Sequence, residues 1–195
     1  MAHATFLSFL SGAALVLGLA PGCNNNSEGP ATVALRWTVQ PGTNSATTCG
    51  AVNDTFSIGN PESNPIVTAT TGSSFNGVPV TVSCNVAPNS TGYSVTAQVT
   101  YGGEGSLAIS GQINVAANAV PGTQTNISGS FDDAVPHGLI ANMSESNCTV
   151  TFTANANMGI APTRIWGVID CPQETATNGT VCDGNAEFLF ENCGQ

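Results

Sequence analysis

The side chains best equipped for chemistry in this chain are seven cysteines: Cys23, Cys49, Cys84, Cys148, Cys171, Cys182 and Cys193. None of them stands in a Cys-x-x-Cys pair, the spacing from which thiolate zinc sites and redox motifs are built, so a metal-ligand role is set aside. The count is odd. Cys23 sits apart from the others, directly behind the apolar run Phe6–Leu19 and the small residues Ala20 and Gly22. Without it the count is even, as a disulfide framework in an oxidising compartment requires. Sequence cannot select among the possible pairings of six cysteines. The spacing suggests Cys49–Cys84 in the N-terminal half, with Cys171–Cys182 and Cys148–Cys193 near the C-terminus.

Other chemistry is thinly supplied. Beyond the leader there is one histidine, His137, and the chain has no lysine. A Ser-His-Asp arrangement would have to use His137 with Asp132 or Asp133, but no Gly-x-Ser-x-Gly elbow accompanies them, and a histidine in a Pro-containing loop is more simply a solvent-facing residue. Gly103-x-Gly105-x-x-Ala108 meets a relaxed dinucleotide fingerprint, yet a strand pattern follows it where a helix N-terminus would have to cradle the pyrophosphate. Asp183, Asn185 and Glu187 open like a calcium loop, but Phe188 stands where the turn glycine belongs and the closing glutamate is missing. No catalytic residue, no metal site and no cofactor are therefore assigned. Trp37 shares a face with Val33, Leu35 and Val39 and is expected in the core; Trp166 alternates with Val168 and is compatible with either core or surface. Sequons such as Asn126-Ile127-Ser128 and Asn178-Gly179-Thr180 are common in so Asn/Thr-rich a chain and are not read as glycosylated.

The run Phe6–Leu19 with small residues after it reads as a secretory signal peptide, residues 1–22. The stretch Leu19-Ala20-Pro21-Gly22-Cys23 resembles the lipobox of bacterial lipoproteins, and the resemblance implies thioether lipidation and acylation of Cys23 after cleavage before it. A simple secretory peptide cut near Ala20 and an uncleaved anchor are the alternatives; the second is disfavoured because a span needs about 20 apolar residues and this run is diluted by Ser8, Ser11, Gly12 and Gly18. Residues 23–31, rich in Asn with Ser27, Gly29 and Pro30, read as a flexible tether. Asn24 after the cysteine implies, by the same resemblance, sorting to the outer membrane. The C-terminal segment Arg164-Ile165-Trp166-Gly167-Val168-Ile169-Asp170-Cys171-Pro172, with Cys182-Asp183-Gly184 and Ala186 to Cys193, resembles the endings of uncharacterised lipoproteins of myxobacterial type. That resemblance implies a disulfide-closed terminal hairpin and no activity.

The elements that must carry these residues alternate with period two. Val33, Leu35, Trp37 and Val39 alternate with polar residues; so do Val78–Cys84, Tyr93–Tyr101, Leu107–Val115 and Cys148–Ala154, with shorter strands expected near 55–58, 66–70, 124–131, 164–170 and 186–192. Gly102–Gly105 joins two of these runs as a hairpin. No segment repeats apolar residues at helical spacing. One polar and one apolar face per strand predicts an all-β, antiparallel β-sandwich stabilised by disulfides, spanning residues 32–195 with a disulfide-rich part from about 147. The chain has 195 residues, two basic and 12 acidic side chains, and a formal charge of −10. Phosphate contacts need basic side chains, so nucleic acid is excluded as a partner, as is attachment to an anionic membrane surface through charge. The expected role is a lipid-anchored cell-envelope protein, a non-catalytic structural or binding module whose partner is the membrane through its N-terminal lipid, with any protein or glycan partner left unidentified. A calcium-dependent adhesion domain and a periplasmic or secreted hydrolase are the alternatives.

Overall fold

A computed structural model describes residues 29–41, 54–103, 105–114, 122–133, 140–153, 157–175 and 181–194. Residues 1–22, Cys23 and most of the tether, Cys49, His137 and Asn178 lie outside them. Twelve strands are formed and no helix occurs among the described residues: β1 (Thr32–Pro41), β2 (Asp54–Ile58), β3 (Ala69–Thr70), β4 (Ser74–Phe75), β5 (Val78–Pro88), β6 (Tyr93–Tyr101), β7 (Gly105–Ile113), β8 (Gly122–Asp133), β9 (Ile140–Phe152), β10 (Gly159–Ala161), β11 (Arg164–Thr175) and β12 (Val181–Glu191). The expected all-β antiparallel fold is realised as a single sheet, ordered β2-β1-β12-β11-β9-β8-β7-β6-β5-β4, whose halves pack face to face because the sheet curls nearly into a barrel.

The path is simple. From β5 to β9 each strand pairs with its successor, β11 then pairs with β9 and β12 with β11, and β12 pairs along its length with β1, from Thr32↔Glu191 to Pro41↔Cys182. The remaining gap lies between β1 and β5. It is spanned by β3 and β4, joined by a tight turn: Ala69 and Thr70 pair with Val33 and Thr32, while Ser74 and Phe75 pair with Pro79 and Val78. Backbone hydrogen bonds from Thr71 N to Ala31 O, Gly72 N to Val80 O and Val80 N to Ser73 O continue the bridge. Near-closure of this kind shortens the strand edges that would otherwise recruit other chains, leaving β2 and β4 as the terminal strands. β4 and β10 have two and three residues, too short for alternation to register, and were not expected from sequence.

Alternation decides what points inward. On β6, Tyr93, Val95, Ala97, Val99 and Tyr101 are buried while Thr96, Gln98 and Thr100 are exposed. The interior is filled by Val33, Leu35, Trp37, Ile58, Leu107, Ile109, Ile127, Phe131, Phe152, Phe188 and Phe190, all essentially inaccessible. Trp37 is core, as expected: it stacks on its cross-strand partner Phe56 at 4.2 Å between ring centroids and meets Phe131 edge-on. The outward face is Thr-, Ser- and Gln-rich, whereas a membrane-spanning barrel turns its apolar residues outward. The β6–β7 hairpin falls at Gly102 and Gly103, both at positive φ, where tight hairpin turns demand glycine.

The suggested cysteine pairing is overturned. Cys84 bonds to Cys193 and Cys148 to Cys171, and Cys182 is disulfide-bonded as well. The cause is the curl of the sheet. Cys148 on β9 lies opposite Cys171 on β11, one step beyond the Thr149↔Asp170 pair, and closure brings Cys193, just past β12, back to β5. Sequence neighbours such as Cys171 and Cys182 occupy β11 and β12 in a register that pairs Cys171 with Gly184 and Cys182 with Glu174.

Candidate functional site

Among the described residues, those flagged for acid-base, phosphate or metal chemistry are not gathered into one place. Asp132 and Asp133 end β8, in register with Ser106 and Gly105. Gly103 and Gly105 belong to a hairpin that runs straight into β7, so no helix N-terminus follows them. Asp183, Asn185 and Glu187 lie along β12, where alternate residues stand about 7 Å apart, and each end of the set is committed elsewhere. The Asp183 carboxylate, almost fully buried, accepts the backbone N–H of Gln173 at 2.8 Å and thereby holds the bulge of β11 between Cys171 and Glu174, where Gln173 takes a positive φ. Among the described residues no group of three or more His, Cys, Asp or Glu side chains is placed to hold a metal ion.

Glu187 belongs instead to a groove on the outer face of β11 and β12. Its volume is about 490 Å³, and it is lined by Pro61, Glu62, Ser63, Asn64, Ile66, Asn157, Met158, Trp166 and Glu187. Ligand sites occupy about 300–1,000 Å³ and combine an apolar floor with a few placed polar groups. Here buried Pro61, Met158 and Trp166 with half-buried Ile66 make the floor, and Glu62, Asn64, Asn157 and Glu187 the rim. Trp166 is only 7% exposed, and its indole N–H donates to Glu187 Oε1 at 3.1 Å, so one aromatic side chain sets the orientation of one carboxylate. Behind it the Arg164 guanidinium lies 5.5 Å from the ring centroid and pairs with Glu191 at 3.1 Å. Such a cation over an indole face and its carboxylate partner lock the ring further.

The opposite wall is the loop between β2 and β3, and its conformation is fixed from within. Asn60 and Val67 form a two-way backbone bridge, at 2.7 and 3.2 Å. The Ser63 hydroxyl donates to Asn60 O and accepts from Val67 N, and Asn60 Oδ1 accepts from Glu62 N. Gly59 makes the entry possible: its φ is +68°, and a Cβ there would collide with Val67 O. The loop is pinned to the sheet by Arg36 on β1, whose guanidinium meets Glu62 Oε2 at 2.9 Å. Pro61 and Glu62 are shared with a second, smaller groove of about 230 Å³ lined also by Arg36, Ser57, Gly59 and Asn60. Arg36 also stands directly opposite Glu187 in the β1–β12 register.

The arrangement can bind. Among the described residues the groove's lining has no His, Cys or Lys, and the Ser63 hydroxyl is spent on the backbone of its own loop. Sequence reading singled out Glu187 only as a metal candidate and left Trp166 open; Glu62, Asn64, Ile66, Asn157 and Met158 were missed. One signal was available. A chain with two cations and 12 acids must pair each arginine somewhere, and Arg36 and Arg164 both occupy positions facing solvent. No protein-family profile, no curated protein and no solved structure matches this chain.

Proposed function

We propose that this chain is a lipid-anchored protein of the cell envelope that acts as a non-catalytic binding module, tethered through Cys23 and binding through the groove beside Trp166. The observation that carries the binding role is the groove itself: a pocket of ligand size with its loop, indole and carboxylates already fixed by hydrogen bonds before any ligand arrives. Preorganised groups of this kind bind at a lower ordering cost. The anchor rests on the lipobox resemblance at Cys23 and on the disulfides, which accord with an oxidising compartment. A single acyl chain holds a protein only marginally, so the several chains that the lipoprotein pathway adds are what the tether needs.

Two measurements test the two halves. Cys23→Ser should move the chain from the membrane fraction to the soluble one or leave it unprocessed, and an unmodified N-terminus on the wild type would refute the anchor. For the groove, a photo-crosslinking residue at Asn64 should capture an envelope component in cells, while the same residue at Gln98, on the outer face of β6, should not. Equal capture from both positions, or from neither, would refute the groove as the binding site. Turnover of a captured component by the purified protein would refute the non-catalytic role.

A further inference from the structure

Both arginines of the chain flank this groove without lining it, Arg36 in the adjoining smaller groove and Arg164 behind Trp166. Arg36 braces Glu62, and Arg164 braces Glu191 behind Trp166, so the groove and its immediate surround carry two positive charges against the three carboxylates Glu62, Glu187 and Glu191. The other nine acids of the chain carry the rest of its negative formal charge. In a molecule of formal charge −10, the groove is therefore a nearly neutral place. A cationic ligand would gain more elsewhere on the surface, and an anionic one would meet Glu62 and Glu187 at the rim.

The rim offers planar, two-atom hydrogen-bonding groups: carboxylates at Glu62 and Glu187, amides at Asn64 and Asn157. The two amides, with the carboxylate oxygens that Arg36 and Trp166 do not engage, offer donors and acceptors to adjacent hydroxyls. On the wall itself Asn60 N, Asn60 O and Val67 N already bond within the loop, so the Asn60–Val67 bridge is closed to an added strand. A ring bearing vicinal hydroxyls above an apolar underside meets the rim and the Ile66–Met158–Trp166 floor together. We infer that the groove takes an uncharged sugar unit of a glycan. The inference rests on the groove being the binding site, and it names the chemical class of the ligand.

The test titrates the full chain, uniformly labelled with ¹⁵N, with cellobiose, maltotriose and di-N-acetylchitobiose, and separately with spermidine and trigalacturonate. The readout is the pair of indole N–H signals, assigned with a Trp166→Phe variant. At least one neutral saccharide should shift the Trp166 signal saturably and leave Trp37 in place, with an affinity insensitive to salt. Glu187→Gln keeps the acceptor for Trp166 but removes the charge, and should weaken binding by about tenfold, the worth of one hydrogen bond to a charged acceptor. Asn157→Gly, which tolerates the positive φ found at Asn157, should weaken it comparably, and Gln98→Ala should not. A saturable shift unchanged by both groove variants, no shift with any neutral saccharide, or a salt-sensitive shift with spermidine alone would each overturn the assignment. Crosslinking from Asn64 that persists when all three saccharides fail would leave the groove as a binding site and refute only the sugar.

Discussion

Gly129 shows how much a single position is asked to do. It lies on β8 beneath the Cys148–Cys171 disulfide, and a Cβ there would sit 2.5 Å from Cys171 Sγ, 2.8 Å from Cys148 Sγ and 3.2 Å from Ile169 Cδ1. A disulfide cannot swing aside as the end of a flexible side chain can, so the added methyl must displace a strand. Gly129→Ala is expected to destabilise the non-reduced protein by about 1–3 kcal/mol, as overpacked cores do, while Ser128→Ala on the exposed side changes little. Urea melts of both variants decide it; equal midpoints would mean that β8 shifts at no cost. Asp183 is a second case. Asp183→Ala removes the acceptor of the Gln173 N–H in a nearly buried setting, which should cost about 1–3 kcal/mol. Amide exchange at Gln173 should rise along with it, and unaltered protection there would show the bulge to be held by other contacts. Neither role was legible beforehand, because a glycine under a disulfide and an aspartate at a bulge acquire meaning only once strand register is known.

At the scale of elements, the strands were readable and their joins were not. Tyr93–Tyr101 emerges with the bounds that alternation gives, since every second side chain there is both apolar and buried. The expected strand near 66–70 shrinks to Ala69–Thr70, because Val67 is drawn into the bridge with Asn60 that shapes the groove wall. Gly59-Asn60-Pro61 was recognisable as a turn, but nothing in three turn residues announces a wall that faces Trp166 from another part of the chain. The glycine makes that wall testable. Gly59→Ala forces a side chain into a left-handed backbone and against Val67 O, so the Asn60–Val67 bridge should open. Hydrogen exchange at the Asn60 and Val67 amides is expected to accelerate markedly, with the amides of β6 and β7 unaffected, and the crosslink from Asn64 should weaken with it. Undisturbed protection at both amides would show that the loop does not depend on that turn.

For the whole molecule the decisive event is closure of one sheet on itself, and the disulfides measure it. An antiparallel meander brings sequence neighbours together strand by strand, yet its two ends meet only if the accumulated twist carries β5 back to β1, which no local pattern reveals. The cysteine pairing was misjudged for this reason: Cys84 and Cys193 are 109 residues apart and become neighbours through closure, with Thr163 N bonded to Val86 O and Cys193 N to Thr163 O alongside them. The two bridges should therefore differ in worth. Constraint of the unfolded chain grows with loop length, giving about 3 kcal/mol for a loop of the size between Cys148 and Cys171 and about 4–5 kcal/mol for the far longer one between Cys84 and Cys193. Replacing each pair by alanines and measuring urea stability should rank the seam bridge as the greater loss. Its removal should also raise amide exchange in β3, β4 and the start of β5, the elements that span the gap, whereas loss of Cys148–Cys171 should loosen β9 and β11 instead. Equal losses with the same exchange pattern in both double variants would mean that the seam is held by its hydrogen bonds and apolar contacts alone.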